Sequence, residues 1–103
     1  MLLEGKVAIV SGIGPGMGRD ISLAFAREGA SVALGGRTLS RLEAVAEEVE
    51  ALGVRAFPVV CDIADEAQCT EAVNAAATEL GRLDILVNNA YDGGDAKTFM
   101  DAD

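Results

Sequence analysis

The stretch Ser11-Gly12-Ile13-Gly14-Pro15-Gly16-Met17-Gly18 constrains this chain more than any other. It follows the apolar run Val7-Ala8-Ile9-Val10 and opens an amphipathic segment over residues 19–28. A strand, a glycine turn and a helix in that order make a phosphate cradle. Backbone N–H groups at a helix N-terminus point at a ligand, and the helix dipole favours its negative charge. Side chains at Gly12, Gly16 or Gly18 would block that approach, or would be strained where the turn needs positive φ.

The rest of the chain repeats the same alternation every 24 to 28 residues or so, as a βαβ array should. Short β-rich apolar runs occupy residues 7–10, 31–34, 54–60 and 83–87. They lack strict polar alternation, which predicts strands covered on both faces in a parallel sheet. Helical periodicity fills each gap. Ile21, Ala24 and Phe25 form one apolar stripe, Leu39, Leu42, Ala46 and Val49 a second, and Cys69, Val73, Ala76 and Leu80 a third. Gly29, Gly53 and Gly81 fall just past these stretches, where a helix end wants a left-handed residue. Asp65 with Gln68 predicts a capping box for the third helix. The second helix starts either at Thr38 or at Ser40 with Glu43 as its box partner. The expected product is β-α-β-α-β-α-β: the first four strands, in order 3-2-1-4, and three helices of an α/β, Rossmann-type doubly wound parallel sheet. Residues 1–90 make up this dinucleotide-binding half. Residues 91–103 read as a loop or the start of a further segment.

Composition narrows the partners. A chain of 103 residues is one small domain at most, and 50% apolar with 24% charged residues is ordinary for a soluble fold. A net charge of −9 argues against nucleic acid and against an anionic membrane surface. Cys61 and Cys69 have no disulfide framework around them, and without histidine a zinc site is not expected. They read as buried, inert thiols in a reducing compartment. The N-terminus is charged too early for a signal peptide, and no apolar stretch approaches membrane-spanning length, so the expected location is cytoplasmic.

A glycine turn alone is weak evidence, so its companions decide. In dinucleotide folds an acid about twenty positions beyond the glycines receives the adenosine ribose hydroxyls. Here the second strand ends Leu34-Gly35-Gly36-Arg37-Thr38, with no acid. An arginine suits a 2′-phosphate, because its planar fork pairs with phosphate oxygens, and this favours NADP over NAD. Arg37 also reads as a solvated residue at a helix start. Asp62 stands just past the third strand, where its carboxylate suits the adenine amino group; by itself it reads equally as a turn or cap. Asn88-Asn89-Ala90 follows the fourth strand at its carboxyl end, where asparagine can tie loops together and meet a ribose hydroxyl.

Together these residues closely resemble the short-chain dehydrogenase/reductase family. The matching motifs are Ser11-Gly12-x-x-x-Gly16-x-Gly18, Cys61-Asp62-Ile63 and Asn88-Asn89-Ala90, in family order and spacing. The resemblance implies an NAD(P)(H)-dependent oxidoreductase acting on a small-molecule alcohol or carbonyl. The implied cofactor contacts are Ser11, Gly12, Gly14, Gly16, Met17 and Gly18 at the turn, Arg37 and Thr38 after strand two, Asp62 and Ile63 after strand three, and Asn89 and Ala90 after strand four. Two departures stand out: Tyr91 replaces the usual glycine after Asn-Asn-Ala, and Pro15 stands where some NADP-preferring members carry a base.

Catalysis in the family resembles a Ser–Tyr–Lys system. Tyr91 is the single tyrosine, Asp95 rather than lysine lies four residues on, and no serine follows Ser40, so no catalytic residue is assigned. The fourth strand would also be an apolar open edge, which natural proteins avoid. Both observations lead to the expectation of a truncated chain, the cofactor half of a longer reductase, inactive by itself. The resemblance places the main oligomer contacts of a homo-oligomer in segments not present here. The alternative is a stand-alone, non-catalytic nucleotide-binding module. A methyltransferase would need an acid where Gly36 and Arg37 stand.

Overall fold

The first apolar run becomes a central strand, β1 (Val7–Ser11), with every residue buried. That is the outcome expected of a strand without polar alternation, because both of its faces must be covered. The structure is a computed structural model and describes residues 2–12, 17–62 and 65–88. After β1 come α1 (Met17–Arg27), β2 (Ser31–Gly36), α2 (Leu39–Glu50), β3 (Ala56–Val60), α3 (Glu66–Leu80) and β4 (Ile85–Asn88). The four strands form one parallel sheet in the order β3-β2-β1-β4, as expected from the sequence.

Successive strand residues face opposite sides, and each side has its own helices. Val10, Val32 and Leu34 pack with Leu23 and Ala26 of α1 and with Leu42, Val45, Ala46 and Val49 of α2. Ile9 and Ala33 pack on the other face with Ala76 of α3, flanked by Val73, Leu80, Leu83 and Leu86. Helices therefore cover both faces, as crossover topology requires.

The helical stripes differ from the expected ones in a consistent way. In α1 the buried residues after the first turn are Ser22 (0% exposed), Leu23 (7%) and Ala26 (1%), while Ile21 and Phe25 are only partly buried against the core and Ala24 is exposed. The Ser22 hydroxyl donates to the Gly18 carbonyl at 2.8 Å, so its burial leaves no polar group unpaired. In α2, Leu39 is 48% exposed, and the buried face is Leu42, Val45, Ala46 and Val49. In α3, Ala72 and Ala76 form the buried line, with Cys69, Val73 and Leu80 half-buried.

Boundaries also shift. β2 runs on through Gly35 and Gly36, β3 begins at Ala56 rather than Val54, and β4 begins at Ile85 rather than Leu83. Asp84 takes over the start of β4. Its N–H donates to the Val7 carbonyl, its Oδ2 accepts from the Val7 N–H, both at 2.9 Å, and its carboxylate is gripped by the Arg82 fork at 2.7 and 2.9 Å. Gly29, Gly53 and Gly81 all have the expected positive φ, near 90°. At the far flank, Cys61 N–H donates to Gly36 and the Arg55 carbonyl accepts from Val32. In a parallel strand alternate residues face alternate sides, so Pro58, opposite Leu34, turns its N–H-less nitrogen outward.

Candidate functional site

The parallel register brings the carboxyl ends of all four strands to one edge. Ser11 lies opposite both Gly35 of β2 and Asn88 of β4, and Gly36 lies opposite Val60 of β3. Because β1 neighbours β4 rather than β3, the chain switches direction across the sheet at β1, which is where open α/β sheets hold ligands.

Gly12 turns the chain out of β1 with φ +83°, a conformation that a side chain would strain. Its N–H donates to the Gly35 carbonyl at 2.8 Å, so this amide belongs to the sheet and not to a ligand. Among the described residues, the amides left for an anion are those of the first turn of α1, from Met17 onward, where a helix has no intrahelical acceptor for its N–H groups. Gly18, in that first turn, is buried. Ser11 is 7% exposed and its hydroxyl donates to the Val87 carbonyl at 3.3 Å, tying β1 to β4 just below the edge. Gly35 is confined by its neighbours: an added Cβ would lie 3.4 Å from Cys61 Sγ and from Ser11 Cβ. Sequence reading missed that role, since Gly35 is not in the glycine turn.

At the end of β2, Arg37 and Thr38 are exposed. Thr38 is the N-cap of α2, which settles the choice between Thr38 and Ser40, yet its side chain makes no capping hydrogen bond. Arg37 and Arg41 make no ion pair among the described residues. Arg19, by contrast, is paired: its fork grips Glu48 of α2, with Nε 2.8 Å from Oε2, and Asp20 lies 3.6 Å away. The Glu48 hydrogen bonds hold its guanidinium even more firmly in the charged form.

Past β3, Asp62 is anchored by its backbone. Its carbonyl accepts from Asp65 N–H at 2.9 Å, and its N–H donates to Gln68 Oε1 at 2.7 Å. Asp65 caps α3 as expected, accepting from the Gln68 N–H at 3.2 Å. The other half of the box differs: Gln68 reaches to Asp62 instead of the Asp65 N–H, because Asp65 N–H already has the Asp62 carbonyl. Cys61 and Cys69 line a small recess with Ile9, Ser11, Ala72 and Val73, and neither is in a disulfide. Burial pushes both thiols up from their ordinary value, which keeps them protonated. Gly14, Gly16, Ile63, Asn89 and Ala90 lie outside the described residues, as does Tyr91.

Four parallel strands in the order β3-β2-β1-β4, with helices on both faces, define a Rossmann-type α/β domain. Comparison with known proteins carries this further. The short chain dehydrogenase family model matches residues 6–102, and the chain belongs to that family. It is 41% identical over 92 residues to the 7α-hydroxysteroid dehydrogenase of Escherichia coli K12, covering 89% of this chain and 36% of the relative. It is 39% identical over 90 residues to the 3-oxoacyl-[acyl-carrier-protein] reductase FabG of Thermotoga maritima, covering 87% of this chain and 37% of the relative. Among solved structures, a 7α-hydroxysteroid dehydrogenase complexed with NADH and 7-oxo glycochenodeoxycholic acid superposes with TM-score 0.84 at 41% identity, over 89% of this chain and 36% of that one. An NAD+-bound xylitol dehydrogenase superposes with TM-score 0.85 at 33% identity, over 91% and 36%. The chain thus spans a little over a third of the length of the curated relatives named here. Among the described residues no helix is long and apolar enough to cross a membrane.

Proposed function

We propose that residues 1–90 are the cofactor-binding half of an oxidoreductase that prefers NADP(H) to NAD(H). The observation that carries the preference is the end of β2, where the buried Gly36 leads straight into an exposed Arg37 that no described carboxylate neutralises. An acid at that place would receive ribose hydroxyls and repel a 2′-phosphate; a guanidinium does the reverse.

The residues fit such a cofactor. Gly12 supplies the left-handed turn, the first amides of α1 would hold the pyrophosphate, and the buried Gly18 leaves room for helix and strand to approach. Ser11 holds β4 against β1, which aligns the strand end from which Asn89 and Ala90 would meet the nicotinamide ribose. Asp62 and Ile63 would border the adenine. When bound, the nicotinamide supplies a hydride donor or acceptor. The reaction is hydride transfer between it and a small alcohol or carbonyl substrate. This chain has no Tyr-x-x-x-Lys, so the reading assigns proton transfer to polypeptide outside these residues. The same reading makes these 103 residues inactive by themselves, the protein cytoplasmic and self-assembly a task of other segments.

Arg37→Glu in the whole enzyme tests the assignment. NADP+ affinity should fall by tenfold or more and the NADP+/NAD+ preference should invert, read by titration calorimetry with each dinucleotide. Unchanged selectivity would refute it.

A further inference from the structure

The two cysteines of the chain come together under the strand ends, and they are not alike. Cys61 stands one residue past β3, 4% exposed, with its N–H donating to the Gly36 carbonyl. Its sulfur lies 3.4 Å from the place a Cβ on Gly35 would take, so the β2 side is closed to it. Cys69 sits in the first turn of α3, half-buried, with its Sγ 3.8 Å from the Asp62 carbonyl. Both line one recess with Ile9, Ser11, Ala72 and Val73, and the free space there is about 10 Å³, no more than a single water needs. A bound molecule does not fit between them, so each thiol has the other as its reactive neighbour.

Charge decides what reaches the pair. Asp62, Asp65 and Glu66 stand around Cys69 and, after burial, hold its thiol above the ordinary value. In a chain of net charge −9 such a corner attracts cationic reagents and repels anionic ones. Access decides the order of events, because the half-buried Cys69 meets a reagent before the buried Cys61 does.

We propose that Cys61 and Cys69 are a dithiol modification site: a small cationic disulfide oxidises them, Cys69 attacking first and Cys61 closing the bridge. The Cys69 thiolate attacks one sulfur of the disulfide, forming a mixed bond and releasing one small thiol. Cys61 then gives up its proton and attacks the Cys69 sulfur, expelling the second small thiol. Two protein thiols are oxidised and one disulfide is reduced, so electrons and protons balance. The bridge draws the Cys69 sulfur off the Asp62 carbonyl and disturbs the turn that carries Asp62. On the reading above that Asp62 borders the adenine, oxidation weakens nucleotide binding.

The test is mass spectrometry of the whole protein after exposure to cystamine, a dication, and to glutathione disulfide, an anion, in mildly alkaline buffer. Trypsin leaves both cysteines in one peptide, residues 56–82. In the wild type this peptide should lose two hydrogens, about tenfold faster with cystamine, and salt should narrow the difference. Cys61→Ala should stop with cysteamine attached to Cys69, and in Cys69→Ser the remaining Cys61 should react about tenfold more slowly. A wild-type peptide that stops at the mixed disulfide overturns the proposal, even where Cys61→Ala does not fold. Wild-type rates in Cys69→Ser, or a faster reaction with glutathione disulfide, overturn it too. The oxidised protein should bind 5′-ADP about threefold or more weakly by calorimetry, with dithiothreitol restoring the affinity. Equal affinity overturns the coupling to Asp62. A reduced protein that binds no 5′-ADP overturns the nucleotide reading and with it the coupling, while the peptide mass still tests the dithiol.

Discussion

Replacing Gln68 with alanine separates the two duties this side chain performs. Its Oε1 accepts from the Asp62 N–H at 2.7 Å, and its Nε2 donates to Asp65 Oδ2 at 3.3 Å. Its own N–H remains capped by Asp65 Oδ1 at 3.2 Å, which the substitution leaves alone. A typical hydrogen bond contributes about 0.5–1.5 kcal/mol net. The first bond here is short, the second long, and both are exposed, so water replaces them on truncation and no desolvation penalty follows. Their sum is about 1–1.5 kcal/mol, a displacement of the urea midpoint with unchanged slope. The consequence for binding is separate. Releasing Asp62 loosens the loop proposed to border the adenine, so 5′-ADP affinity should fall by about three- to tenfold, equivalent to roughly 0.7–1.4 kcal/mol. Urea unfolding and calorimetric titration of Gln68→Ala in the whole protein check both numbers. An unmoved midpoint would mean that the Asp62 tie contributes nothing. A moved midpoint with wild-type affinity would mean that Asp62 does not border the nucleotide.

Asp84→Asn probes the other end of the sheet. The Arg82 fork first, and the Val7 N–H second, hold the Asp84 carboxyl below its ordinary value. A depressed folded value means that the stabilisation is present above the unfolded carboxyl pKa, about 3.9, and is lost as pH falls through the folded one. The gap in urea midpoint between wild type and variant should therefore hold from pH 7 to about 5 and narrow as pH falls below about 4; a gap that stays constant on acidification below that point contradicts the tie. Gly81→Ala should cost about 1 kcal/mol and Gly81→Asn about half as much, by urea unfolding, because φ is +87° while an added Cβ meets nothing within 4 Å. A fully stable alanine variant would rule out the left-handed cap.

The strands and their order were legible because the apolar runs without alternation leave few ways to be buried on both faces. The glycines after each helix were legible because a left-handed helix end admits little else. The helix faces were less so. Gly18, Ser22 and Ala26 lie four residues apart and are buried, but a serine mid-helix reads as polar, and its pairing with the Gly18 carbonyl exists only once the helix has formed. The run of Gly35 and Gly36 looked like a strand ending, yet β2 continues through both, since the Gly35 carbonyl pairs with Gly12 and the Gly36 carbonyl with Cys61. The partner Gln68 finds was hidden for a similar reason: Asp62 lies six residues away and comes within reach only where the chain turns into α3.

Pro58 gives the two flanks of the sheet different fates. A peptide laid against β3 would meet a gap in the ladder at the middle of the strand, facing the solvent where a donor is needed. Lateral growth is therefore directional. A further strand, whether from the same polypeptide or from a stray neighbour, finds a better template alongside β4 than alongside β3.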